Sequence, residues 1–443
     1  MKTITDVVPL ATNLVKELST QINTGQTSLI KVEDILVDFI NQFGHLLFSD
    51  IMHNVDEPVF ENTLIVNDKK AYYQGQTNLH FIDRFGYEII KPRRGYNFGE
   101  GGGGYYPLDE KLGMDKCRRF SPLMTYLQSF FGGAEPYASG AKKLSKALGF
   151  KISATAVQNN TEMTGKRLEG NPIHAIPVNK ENEGCDVMIA EIDGTMSPQI
   201  APIEGVVGQE SLKQPTEYKE CNIIAIQKFE RYGKGLNKKD EWVGGTYGPR
   251  KDFENYTRQT GIKMGQMKAK EIVFIADGAK HNWEIQMNTF PDAIPILDFY
   301  HASEHLMDFC EFFKKPEQGK KQYRTWNSML YEGETLQVLS EMRKALDDKI
   351  TNRNEALKHY NYFENNKERM HYLTYRERGY PIGSGLIEGK CKLIVCRRFK
   401  GNGMRWKKND NDAVLKVRLA FFNGTLARAF KPEPRAYQFA SGL

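Results

Sequence analysis

Cys185 to Thr195 reads CDVMIAEIDGT. Apolar residues dominate from Val187 to Ile192, and the run meets Asp193 and Gly194. A short apolar run bounded by a turn signal predicts a buried strand with an aspartate at its mouth. Downstream, ECNIIAIQKF (220–229), EIVFIADGAK (271–280) and AIPILDFYHASEHL (293–306) repeat the texture. The second of these ends in Asp277, and the third runs into a helix from about His301. A loop and a charged, helical stretch (249–269) lie between, so the region predicts an α/β fold. From there to about Arg376 the chain is charged, leucine- and aromatic-studded and poor in glycine, which predicts a block of helices.

The last informative stretch is GYPIGSGLIEGKCKLIVCRRFKGNGMRW (379–406). Ser384 is placed to cap a helix over Gly385 to Phe399, with Ile387, Cys391 and Ile394 on its packing face. Glu388 lies near the helix start, where the dipole favours a carboxylate. Lys390, Lys392, Arg397, Arg398, Lys400, Arg405, Lys407 and Lys408 follow, with Trp406 among them. One acid beside a cationic, partly aromatic strip suits a protein that acts on a polyanion; a solvated basic helix explains it equally well.

Upstream, residues from about 10 to 54 show apolar positions at three- and four-residue steps, a packing or dimerising pattern. Residues 61–98 are short, β-branched and aromatic, and predict strands. GEGGGG (99–104) lacks the GK[ST] of a phosphate loop and reads as a turn. In 137–168, Ala141, Leu144 and Leu148 form one helix face and Gly149 ends that helix. Ser153 caps a second helix that turns Ala156 and Val157 inward and Thr155, Gln158, Asn159 and Asn160 outward. Helix, glycine turn, helix is a helix-turn-helix pattern, and such outward side chains read base edges. Proline, asparagine and glycine at 170–184 mark a linker.

The 443 residues allow two to four domains, and 40% hydrophobic with 26% charged residues excludes a disordered chain. The net charge of +6 is small, so any nucleic-acid reading rests on where the cations lie. No apolar run approaches bilayer length, and the first residues are not a signal peptide. Six scattered cysteines without a CxxC pair argue against a zinc ribbon or a disulfide framework and for a reducing cytoplasm.

Two strands that end in Asp-Gly, with a third acid on the basic helix, are the notable constellation. Either Asp-Gly alone is explained by a turn. Three carboxylates brought together repel one another unless cations bind, and hard oxygen ligands suit Mg²⁺ or Mn²⁺. At these residues the chain resembles bacterial insertion-sequence DDE transposases, and within them the ISKra group. PLDEKLGM (107–114), the helix-turn-helix ending in SATAVQ, IDGTM, FIADGA, LDFYHASEHL and GSGLIEGKCK with RRFKGNGMRW carry the likeness, over roughly residues 90–420.

The resemblance implies a ribonuclease-H-like catalytic core, a mixed sheet flanked by helices, interrupted by a helical insertion. It implies N-terminal helical and helix-turn-helix regions that recognise terminal inverted repeats. Asp193, Asp277 and Glu388 would be the catalytic, metal-holding triad, with Asp298 and His301 an auxiliary D-x-x-H element. Asp298 has two other readings from its position: a cap on the following helix, and a rival to Asp277 as metal ligand. DNA would be held by Thr155, Gln158 and Asn159, and by Lys392, Arg397, Arg398, Lys400, Arg405 and Trp406.

The expected layout is 1–60 helical, 61–135 a small β region with the glycine-rich loop, and 136–180 helix-turn-helix and linker. A first core segment (184–302), a helical insertion (303–378), a second core segment (379–425) and a tail (426–443) complete it. The expected partners are double-stranded DNA, both element ends and target, and further copies of the chain, at the nucleoid. Related sequences carry a cysteine pair before PLD where this chain has GEGGGG, which removes the basis for zinc there. The rival functions are a DNA-binding regulator with an inert triad and a metal-dependent nuclease without strand transfer.

Overall fold

The structure is a computed structural model that describes residues 7–58, 62–99, 103–168, 183–201, 215–233, 235–407 and 410–430. Most of the proposed linker, the middle of the glycine run, Lys408 and most of the tail lie outside the described residues. The chain divides into two compact units, residues 1–169 with 426–443, and residues 170–425.

The first unit opens with helices α1 (Val7–Asn23) and α2 (Leu29–His53). Many of their apolar residues face solvent, among them Val15, Ile30 and Ile40 at 62%, 73% and 59% exposure. An antiparallel sheet follows in the order β1 (Thr63–Val66), β2 (Lys69–Ile82), β3 (Glu88–Asn97), β4 (Gly104–Tyr105). The short helix α3 (Pro107–Lys111) begins at a proline, which suits the first helical position.

Helices α4 (Pro122–Ala134), α5 (Tyr137–Leu148) and α6 (Ala154–Leu168) then pack on one another around Met124, Leu144 and Val157. Gly149 ends α5 at φ 80°, a left-handed conformation that favours glycine. Ser153 Oγ accepts the Ala156 N–H at 3.1 Å and caps α6.

The second unit holds a five-stranded mixed sheet in the order β7 (Gly235–Thr246), β6 (Thr216–Tyr232), β5 (Cys185–Ile200), β8 (Ala269–Ala276), β9 (Ile294–Leu297). The first three strands are antiparallel, and β5, β8 and β9 run parallel. Val187 to Ala190 are buried without alternation, as strands covered on both faces require. The covering helices include α7 (Arg250–Lys263) against β6 and β7, and α8 (Lys280–Thr289) against β8.

Between β9 and the Glu388 helix run α9 (Phe299–Glu311), α10 (Pro316–Tyr331), α11 (Thr335–Asp348), α12 (Arg353–Asn366) and α13 (Tyr372–Glu377). They share one apolar core with the sheet, built on residues such as Phe309, Trp326, Met342 and Phe363. Helix α14 (Gly385–Lys390) packs on β5 and β6; a π-helical stretch (Cys391–Cys396) and α15 (Arg397–Phe399) continue it, and α16 (Asp410–Phe422) packs on β7. This mixed α/β architecture is compatible with a ribonuclease-H-like core.

Two strand expectations need correction. The apolar strand does not stop at Asp193: β5 continues to Ile200, paired with β6 from Asp193↔Ile223 to Ile200↔Thr216. The segment before 249, expected as a loop, holds the edge strand β7.

Candidate active site

Strand register brings the first two acids together. The parallel pairing of β5 with β8 reaches Glu191↔Ile275. Two residues further along each strand lie Asp193 and Asp277, so side chains of equal phase emerge side by side where β8 stops. Asp193 is half-buried. Burial raises its carboxyl above the usual range, the Gly194 N–H opposes this, and the Asp277 charge adds to the rise. The nearby Cys391 thiol, one turn past Glu388, also opposes the rise. Asp277 Oδ1 accepts from Ala279 N at 2.9 Å and Asn282 Nδ2 at 2.7 Å, which anchors it at the start of α8.

Asp298 follows β9 and is fully buried. Its Oδ1 accepts from Tyr300 N at 2.6 Å, with His301 N longer at 3.4 Å, so it caps α9. Its Oδ2 accepts from Ser384 N at 2.9 Å and from the Ser384 hydroxyl. Burial pushes the Asp298 carboxyl up, but His301, Ser384 and Tyr300 outweigh it and the net shift is downward. His301 Nδ1 lies 3.3 Å from Asp298 Oδ2 without alignment as a hydrogen bond, so the contact is ionic. The Asp298 carboxylate raises His301 to about 9, with Asp277 contributing, which keeps the imidazole cationic at neutral pH.

Glu388 joins this pair: one ligand atom each from Asp298, His301 and Glu388 lie within 4.8 Å of one another. His301 is the residue that these acids share: its charge interacts with Asp193 and Asp277, and its ring clusters with Glu388. The ligand atoms of Asp193, Asp277 and Glu388 do not themselves form a set all within 4.8 Å, among the described residues. The donors on the patch are almost all carboxylate oxygens, a chemistry that fits Mg²⁺ or Mn²⁺.

Glu191 is a residue that the sequence reading missed. It is buried beside the patch, and its Oε2 accepts the Ile387 N–H at 3.0 Å, in the first turn of α14. Burial, with Asp298 and Glu388 nearby, pushes its carboxyl up to about 8. Ser384 occupies the cap position but makes no capping bond, because its hydroxyl goes to Asp298. Glu191 supplies the acceptor that the helix start needs. The signal was available: a carboxylate inside an apolar run that is buried on both faces.

The basic strip divides. Lys392, Arg397 and Lys400 are exposed. Lys392 Nζ lies 3.4 Å from Glu388, and Lys400 Nζ donates to Thr195 Oγ1 at 2.7 Å. Arg405 is half-buried, and Lys390 pairs with Glu241. Arg398 is only 1% exposed, so it offers no phosphate contact. Its guanidinium lies 4.8 Å from the Trp406 ring centroid. Trp406 is also buried, with Phe399 at 4.9 Å and its Nε1 donating to Phe399 O, which leaves no ring face for a base. The spacing that buries Ile387, Cys391 and Ile394 extends to position 398, which is the signal that separates Arg398 from Arg397.

In the first unit, Thr155 and Asn159 are exposed, while Gln158 is half-buried and donates to Glu162 at 2.9 Å. Asn160 does not face outward: it is buried and bonds Gln128.

No family model matches the chain, and no curated relative was found. Among solved structures, a Drosophila P element transposase strand transfer complex is similar at TM-score 0.35 and 11% identity, over 70% of this chain and 94% of that one. A likeness at that level carries no weight for function. Among the described residues no helix is long and apolar enough to cross a membrane.

Proposed function

We propose that the chain is a DDE-type DNA transposase that cleaves and joins DNA at the ends of a mobile element, of the insertion-sequence kind and resembling the ISKra group. The observation that carries the reading is that His301 interacts electrostatically with Asp193 on β5 and Asp277 after β8 and clusters with Glu388 of α14 and Asp298. In this reading the three acids hold Mg²⁺ or Mn²⁺. Such ions, when bound, activate the attacking hydroxyl and stabilise the leaving oxygen of an in-line displacement.

The chain's own residues supply position and charge. Glu191 and Asp298 fix the first turn of α14, and so aim Glu388. Cationic His301, whose charge Asp277 supports, holds a phosphate oxygen on the patch. Lys392, Arg397 and Lys400 take the DNA backbone, and Thr155, Gln158 and Asn159 the terminal repeats. The reading includes self-association on DNA, which light scattering of the complex tests, and a nucleoid location.

The decisive experiment uses the full chain, Mg²⁺ and duplexes that carry inverted repeats flanking the coding region. Cleaved ends joined to target DNA support the proposal. Cleavage without joined products makes the protein a nuclease, and binding without cleavage makes it a regulator.

A further inference from the structure

A second cluster lies on the helices that follow the sheet, one turn along α9 from His301. Helix α9 carries His305 and Asp308 one turn apart, on neighbouring positions of one face. Helix α12 brings His359 against them: the two Nδ1 atoms are 3.0 Å apart. One ligand atom from each of His305, Asp308 and His359 lies within 4.8 Å of the other two. Tetrahedral zinc, with ligand bonds of ~2.0–2.1 Å, sets its ligand atoms ~3.3 Å apart, close to the imidazole separation seen here.

The rings are held in place. His305 stacks on Tyr362 with centroids 3.8 Å apart and planes at 23°. The Phe312 ring centroid lies 6.2 Å from that of His359. Tyr362 in turn sits on Gly278, where its ring leaves no room for a Cβ. All three candidate ligands are half-buried, so solvent reaches the cluster for metal entry and for a fourth, water ligand. A hydrogen bond between two imidazoles accounts for the 3.0 Å approach alone; it gives no role to the carboxylate that completes the set.

We propose that His305, Asp308 and His359 form a transition-metal site of the zinc type that clamps α12 to α9. Two nitrogens and one oxygen select Zn²⁺ or Co²⁺ over Mg²⁺, the reverse of the oxygen-rich patch. Through Tyr362, seated between His305 and Gly278, the clamp also fixes the turn that follows Asp277.

Co²⁺ titration of the chelator-treated full-length protein tests this, read by the visible absorption of tetrahedral Co²⁺. The expected result is one equivalent bound, displaced by Zn²⁺ and not by excess Mg²⁺, and retained in the Asp193→Asn/Asp277→Asn double variant. His305→Gln and His359→Gln should each weaken it at least ~100-fold, and Asp308→Asn ~10–100-fold. Thermal unfolding in chelator, unchanged by Asp308→Asn, controls for misfolding, and Zn²⁺ should raise the wild-type midpoint. No Co²⁺ absorption in wild type, a signal that survives His359→Gln, or displacement by Mg²⁺ overturns the proposal.

Discussion

Asp298 Oδ2 accepts the Ser384 backbone N–H at 2.9 Å and the Ser384 hydroxyl as well, across 86 positions of chain. One buried carboxylate therefore ties the strand end before α9 to the start of the helix that carries Glu388. With Tyr300 N and His301 N on its other oxygen, it serves four donors in a place that water does not reach. Asp298→Ala strands all of them. A loss of about 3–5 kcal/mol is expected, in the range for an uncompensated buried partner. Asp298→Asn keeps one oxygen and should lose less. Urea unfolding measures both, followed by tryptophan fluorescence, which reports the second unit because Trp242, Trp283, Trp326 and Trp406 all lie in it. Loss of less than about 1 kcal/mol in the alanine variant would mean that these donors find other partners.

Glu191 sets a pH dependence of definite sign. Its carboxyl rises from an ordinary 4.5 to about 8 in the folded chain. Below 4.5 both states are protonated and nothing is lost. Between 4.5 and 8 the unfolded chain ionises while the folded one keeps its proton, so stability falls as pH rises, by at most about 1.4 kcal/mol per unit. Above 8 the folded carboxyl ionises too and the decline ends. Glu191→Gln, whose amide oxygen can still accept the Ile387 N–H, removes this decline. The variant should match wild type near pH 5 and exceed it in stability near pH 8, measured by urea unfolding in EDTA. Parallel pH profiles would show Glu191 ionised in the folded protein.

Arg418 on α16 is buried and donates from Nε to Ile394 O at 2.6 Å and from Nη2 to Leu393 O. Both carbonyls belong to the π-helical stretch, a departure from regular α-helix that Arg418 braces. Arg418→Met keeps the stem and removes both donors, and should cost about 2–3 kcal/mol. Arg418→Lys reaches one carbonyl at most and should recover only some of that. Unfolding midpoints of the three proteins decide it, and equal midpoints would free the π stretch from any need of Arg418.

The sheet was legible from apolar runs, and so was the place of Asp277 after a strand, whereas Asp193 lies within β5 and Glu388 on a helix. β7 was not, because its first half, GLNKKDE, lies at the sheet edge and need not be apolar. The true length of β5 was hidden by Asp193-Gly194, a turn signal that β6 overrides by pairing straight through it. The burial of Glu191 could be read from its apolar run, but its Ile387 partner and the Ser384–Asp298 bond depend on which distant segments meet, and local spacing carries no such information. Trp406 was misread because composition alone does not say whether an aromatic in a basic run packs inward.

Arg397 and Arg398 are neighbours in sequence with opposite fates, and together they test the DNA surface. Arg397 is exposed and Arg398 is 1% exposed. Each phosphate contact adds about 0.9 to the slope of log binding constant against log salt. Arg397→Ala should therefore weaken binding to all duplex sequences and flatten that slope by about one, with unfolding unchanged. Arg398→Ala should leave the slope intact and instead cost about 2–4 kcal/mol, because it opens a cavity beneath Trp406. Fluorescence anisotropy across a salt series, paired with urea unfolding, separates the two. A flattened slope in Arg398→Ala would place that guanidinium on DNA after all, and an unchanged slope in Arg397→Ala would remove the exposed strip from the binding surface.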